Sequence, residues 1–137
     1  MIVVDVNVLA YLLIPGPHTE SAEIWLRRDP QWAAPRLWRS ELRNVLATYA
    51  RAGMLELPDA SAMFQHATAI IGANEYEVET SDVLRLSKAS GCSAYDCEYV
   101  ALAEFLELKL VTADTKLRKA FPHYTVGLSP IKDQSKS

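Results

Sequence analysis

Cysteine is nearly absent, with only Cys92 and Cys97 in 137 residues. They stand five apart with no second pair and no adjacent histidine, so zinc-ligand spacing is missing and a short-range disulfide is geometrically disfavoured. Both read as small apolar residues in a reducing compartment. The three histidines, His18, His66 and His123, fall in separate segments with no motif between them. No apolar run approaches the roughly 20 residues of a membrane span, and no basic leader precedes a cleavable apolar stretch. The expectation is a soluble, cytoplasmic chain that meets no membrane. Excess positive charge is missing too, since 14 Lys and Arg against 17 Asp and Glu leave a formal charge of -3. The whole-molecule field therefore repels polyanions, and any nucleic-acid contact has to come from a local basic patch.

What is present is an ordinary globular composition, 50% hydrophobic and 23% charged, which excludes a disordered tail protein and a coiled coil. A chain of this length holds one core. The expected division is one domain over 1–130 and a polar tail over 131–137.

Ile2-Val3-Val4-Asp5-Val6 is a β-branched run without polar alternation, the pattern of a strand buried on both faces of a parallel sheet. A helical apolar run follows from Asn7 through Leu9, Leu12 and Leu13 and stops at Pro15-Gly16-Pro17. Thr19 or Ser21 is placed to cap a second helix, and 32–35 reads as a short strand. From 37 to about 52, Trp38, Leu42, Val45, Leu46 and Tyr49 recur at helical spacing, with Gly53 as the stop. Pro58-Asp59 opens another helix, ended by Gly72. A strand over 75–79 and a helix capped by Thr80 or Ser81 come next. Ser93 then caps a helix whose apolar side includes Tyr99, Val100 and Leu102. Strands over 108–112 and 124–128 flank a short helix over 115–121. This alternation predicts an α/β domain, a parallel sheet of four to five strands with helices on both faces. Ligands of such sheets gather beyond the carboxyl ends of the strands, where strand order reverses.

Four acids stand where patterning calls for an apolar residue or a cap. Asp5 ends an Ile and Val strand, where a carboxylate is costly unless paired, metal-bound or engaged in capping the next helix. Glu41 lies within an apolar stripe and has no basic i+4 partner, although its head can also reach solvent. Asp96 follows Ser93 at capping-box spacing, and Asp114 can cap the helix after its strand. Each alone has this structural explanation. Together, the parallel-sheet reading brings all four to one edge, where ionised carboxylates raise one another's pKa unless a cation is present. An oxygen-only donor set suits Mg²⁺ or Mn²⁺ rather than Zn²⁺.

Four blocks then resemble, in order, those of PIN domains, and specifically of VapC-type toxin ribonucleases from bacterial or archaeal toxin–antitoxin pairs. They are Ile2-Val3-Val4-Asp5-Val6-Asn7-Val8-Leu9, Ser40-Glu41-Leu42-Arg43-Asn44-Val45-Leu46, Ser93-Ala94-Tyr95-Asp96-Cys97-Glu98-Tyr99-Val100-Ala101-Leu102-Ala103 and Leu110-Val111-Thr112-Ala113-Asp114. The resemblance covers 1 to about 128. It implies a parallel sheet covered on both faces, Mg²⁺- or Mn²⁺-dependent cleavage of RNA, and an antitoxin protein as partner. Asp5 and Asp96 would be the principal metal ligands, with Glu41 and Asp114 as further ligands, direct or through water. Asn7, Asn44, Ser93 and Thr112 would support them by hydrogen bonds, with capping an equal reading for Ser93. Lys116 departs from the family's pattern, which often has another acid shortly after the one matched by Asp114. A second tightly held metal is put in doubt by it.

Arg36, Arg39 and Arg43 near Glu41, with Lys116, Arg118 and Lys119 after Asp114, can flank the cleft and bind RNA phosphates, or can simply be solvated helix faces. Leu12, Trp25, Trp38, Tyr49, Met63 and Phe64 suit the core, with some left for a homodimer contact or an antitoxin groove. A response-regulator receiver needs adjacent acids after its first strand and a lysine after its last, whereas Asp5 stands alone and 124–128 leads to Ser129-Pro130. The remaining alternative is a non-catalytic PIN-fold module that binds RNA or protein.

Overall fold

The computed structural model describes residues 1–129, so the end of the expected domain and the expected tail lie outside the described residues. Within them the chain runs β1 (Ile2–Val4), α1 (Val6–Leu13), α2 (Thr19–Arg28), β2 (Trp32–Pro35), α3 (Trp38–Arg51) and α4 (Leu57–Ile71). It continues β3 (Glu75–Tyr76), α5 (Thr80–Ser90), α6 (Ala94–Leu106), β4 (Leu110–Thr112), α7 (Thr115–Ala120) and β5 (Thr125–Gly127). All strand pairs are parallel, in the order β3-β2-β1-β4-β5.

That order explains the two-sided cover. Right-handed crossovers from β1 to β2 to β3 place α1 to α4 on one face, and the reversed direction from β3 to β4 to β5 places α5 to α7 on the other. Accordingly α6 packs across β1, β2 and β4 with α5 behind it, while α1 and α4 pack with α2 and α3. The central strands are therefore buried on both faces, with Val3, Val4, Leu110 and Val111 fully enclosed. Burial of each contributes about 1.5–3 kcal/mol. Strand order reverses between β1 and β4, and this is the switch point beyond which ligands bind.

Two expected caps are corrected. Thr19 does not cap α2, whose N-cap is His18 without a side-chain bond. Its hydroxyl instead accepts from Gly16 N–H at 2.9 Å and donates to the Tyr11 carbonyl at 2.7 Å, tying the end of α1 to the turn. Neither Thr80 nor Ser81 caps α5, which begins after Glu79 with no side-chain cap. β3 is also shorter than expected, because an edge strand finds a partner on one side only.

Large apolar residues mostly find core positions. Trp38 is fully buried and stacks on Phe64 at 5.5 Å, and Trp25 donates its indole N–H to the Leu128 carbonyl at 3.1 Å. Both cysteines are buried and free. Among the described residues, no helix is long and apolar enough to cross a membrane.

Candidate functional site

Asp5 follows β1 directly and is the N-cap of α1, its Oδ1 accepting the Val8 N–H at 3.1 Å. Its second oxygen accepts from the Thr112 hydroxyl at the end of β4, so the two strands flanking the switch point are tied through this carboxylate. The Thr112 hydroxyl in turn accepts the Asp114 N–H at 3.0 Å, and Asp114 caps α7 by accepting from Leu117 N–H at 3.1 Å. Asp5 is only 8% exposed. Burial pushes its carboxyl up to about 6 against the lowering effect of the Thr112 and Val8 bonds, and the charge of Asp96 raises it further. A carboxylate also has about four lone-pair positions, so these two bonds leave acceptor capacity on Asp5.

Glu41 enters from the first turn of α3, which begins just beyond the carboxyl end of β2. It accepts a 2.6 Å hydrogen bond from the hydroxyl of Tyr99, a buried residue of α6. Burial raises the Glu41 carboxyl, the Tyr99 bond opposes that, and the charges of Asp96, Asp5 and Glu98 add to it. The Tyr99 phenol is raised by burial and then by Glu41, which keeps it a neutral donor.

Because α6 leads into β4 from the far side, its first turn lies at the carboxyl edge. Ser93 caps it, accepting the Asp96 N–H at 3.1 Å. The reciprocal half of a capping box is not formed: among the described residues the Asp96 carboxylate accepts no hydrogen bond. Capping thus accounts for Ser93 and leaves the acid unexplained. Its charge is felt by both Asp5 and Glu41.

Asp5, Glu41 and Asp96 are therefore one electrostatic group, whereas Asp114 is linked to it through its backbone N–H and the Thr112 hydroxyl rather than through its carboxylate. As the side chains stand, no three acids among the described residues converge closely enough to enclose a single ion. The donor set still fits a hard cation, being oxygen only, mutually repelling and partly desolvated. Asn7 and Asn44 are exposed beside Asp5 and Glu41.

The basic residues separate into groups. Arg36 pairs with Glu77 at 3.2 Å, and Arg39 pairs with Glu75 at 2.6 Å while lying over Trp38. Arg43 lies over the Phe64 ring at 4.8 Å, and Lys116 reaches the Gly91 carbonyl at 3.5 Å. Arg118 and Lys119 have no ion pair or hydrogen bond from their side chains among the described residues. Sequence reasoning missed Glu98 and the polar role of Tyr99. A tyrosine on an otherwise apolar helix face, three residues after a site acid, was the one signal available for the latter, and it was read as an apolar residue.

A family model described as PIN domain matches residues 2–121. Ribonuclease VapC3 of Pyrobaculum aerophilum is 32% identical over 124 residues, which are 88% of this chain and 95% of that relative. A crystal structure of a protein from Pyrobaculum aerophilum, 24% identical, superposes with a TM-score of 0.74 over 92% of this chain and 89% of that one. A toxin–antitoxin complex from Klebsiella pneumoniae contains a chain 19% identical, with a TM-score of 0.68 over 96% of this chain and 100% of that one. At these identities the two structures speak to the fold alone.

Proposed function

The chain belongs to the PIN-domain family, as a relative of VapC ribonucleases, and from this we propose that it is a metal-dependent endoribonuclease, the toxin of a toxin–antitoxin pair. The observation that carries the catalytic reading is the Asp96 carboxylate, which accepts no hydrogen bond among the described residues while its charge acts on both Asp5 and Glu41. Mg²⁺ or Mn²⁺ would be held by Asp5 and Asp96, with Glu41 and Asp114 completing the shell directly or through water. When bound, such an ion neutralises charge developing on the phosphate and acidifies water. The protein's own part is orientation. Thr112 fixes one oxygen of Asp5, Ser93 fixes the backbone at Asp96, and Tyr99 fixes Glu41. Glu41, with its raised carboxyl, would orient the attacking water or take its proton.

Purified protein is expected to cleave single-stranded RNA with Mg²⁺ or Mn²⁺ and to stop on addition of a chelator. RNA binding without cleavage under any divalent ion would select the non-catalytic module instead.

Tyr99→Phe tests the positioning of Glu41. It removes the 2.6 Å bond without changing ring volume, so kcat is expected to fall roughly 3–10-fold with KM nearly unchanged. Because that bond holds the Glu41 carboxyl down, the acid limb of the pH–rate profile should move to higher pH. An unmoved profile would reduce Tyr99 to a packing role.

An antitoxin partner is supported by the Klebsiella complex, whose fold this chain shares. A surface for such a segment exists beside α1 and α4, where Leu12, Leu13, Leu55 and Met63, with Asp59 and His66, border an open cavity of about 480 Å³. A homodimer is supported by Leu84 and Phe105, 60% and 74% exposed on the packed helices α5 and α6. A cytoplasmic location follows from the toxin reading.

A further inference from the structure

The α7–β5 corner holds a contact that the acid site does not require. A β-carbon built on Gly127 would lie 2.6 Å from Cζ and from Nη1 of Arg118, and 3.0 Å from Nη2. The guanidinium therefore rests on bare backbone, in space that any other residue would fill. Gly127 is in register with Thr112, whose hydroxyl donates to Asp5. Adjacent strands are about 4.8 Å apart, so the seat lies one strand away from the acid site. On its own helix Arg118 is one turn from Asp114, its N–H bonded to the Asp114 carbonyl at 3.1 Å.

This cation also borders an open cavity of about 450 Å³ lined by Thr115, Arg118, Lys119, Pro122 and Thr125. Among the described residues no acid lines it, in a protein whose formal charge is -3. Arg39 and Arg36, by contrast, are already neutralised by Glu75 and Glu77. A guanidinium seated on a glycine and bordering this cavity offers a fork of donors that matches the oxygens of a phosphate.

We propose that Arg118, seated on Gly127 and joined by Lys119 and the Thr115 hydroxyl, forms a subsite for an RNA backbone phosphate flanking the bond to be cleaved. This rests on the ribonuclease reading and deepens it. The subsite supplies the local positive charge that an acidic nuclease needs, and its register beside Thr112 sets where the strand lies relative to Asp5. Gly127 acts as a positioning residue, since it contacts the cation and not the RNA.

The test is binding of a fluorescein-labelled 12-nucleotide oligouridylate, read by anisotropy in chelator across a salt series. Arg118→Ala is expected to weaken binding about 3–10-fold and to lower the salt slope by about 0.7, the value for one single-strand phosphate contact. Gly127→Ala should also weaken binding while the melting temperature holds, because its methyl group meets only the tip of a flexible side chain. The double variant should bind no worse than Arg118→Ala alone, since the glycine acts through the arginine. Lys88→Ala, on α5, should leave affinity and slope unchanged. Unaltered binding in Arg118→Ala, an undiminished glycine effect in the double variant, or an equal loss in Lys88→Ala would overturn the proposal. Absence of metal-dependent cleavage by the unsubstituted protein would instead overturn the ribonuclease reading, and the binding series distinguishes the two failures.

Discussion

Asp96→Asn is expected to lower RNA cleavage in saturating Mg²⁺ by about 10²–10³-fold while leaving the melting temperature nearly unchanged. Asparagine keeps the shape of the side chain and removes its charge. Since the Asp96 carboxylate accepts no hydrogen bond among the described residues, no native bond to it is lost. Removing its charge even relieves Asp5 and Glu41, both of which it raises. The capping explanation makes the opposite forecast, because asparagine serves helix starts about as well as aspartate. Ser93→Ala is the matched control. It deletes the 3.1 Å bond to the Asp96 N–H and should reduce stability by about 1 kcal/mol, with a much smaller effect on cleavage. Initial rates together with thermal melts of both variants check this. A fully active Asp96→Asn protein would remove Asp96 from the metal site.

The same residues show how much of the molecule was legible in the sequence. β1 and β4 announced themselves because strands buried on both faces need unbroken apolar runs, and Asp5 stood out against one of them. The carboxyl-edge rule then assigned Glu41, Asp96 and Asp114 to the edge that holds Asp5; the charges of Asp5, Glu41 and Asp96 do act on one another there, but no three acids among the described residues close on one point. The tie between Tyr99 and Glu41 spans 58 positions and was invisible, because a buried tyrosine patterns as an apolar residue until its hydroxyl partner is known. The neutralisation of Arg39 by Glu75 likewise depends on β3 lying beside β2, which no local window encodes. Thr19 was misread because capping preference does not say which helix end a hydroxyl serves, and here it closes the preceding turn. The seat of Arg118 was hidden for a related reason. Gly127 reads as an unremarkable strand residue until the neighbouring helix is placed against it.

Asp5→Asn should stabilise the metal-free protein at neutral pH while abolishing cleavage. The carboxyl is raised from 3.8 to about 6 in the folded protein, with burial as the main cause. A raised acid favours folding below its unfolded pKa, where it is protonated in both states. That advantage is lost as pH rises through the folded value, where the ionised form is disfavoured in the fold alone. The window is therefore about pH 4 to 6. At about 1.4 kcal/mol per pKa unit, the ionised side chain costs about 3 kcal/mol by pH 7. Asparagine avoids this penalty but loses part of the bonding to Thr112 and Val8, so a net gain of roughly 2 kcal/mol is expected, or about 5–8 °C in melting temperature. In chelator, the gap between the two proteins should be present at pH 7 and close near pH 4. Mg²⁺ should then raise the melting temperature of the unsubstituted protein more than that of the variant, since a ligand stabilises only the state that binds it. A gap that is absent at pH 7, or unchanged at pH 4, would show that Asp5 is not held at such a penalty. If the gap behaves as expected, the switch point of the sheet keeps an ionised carboxylate at the expense of stability, and a bound cation is what offsets it.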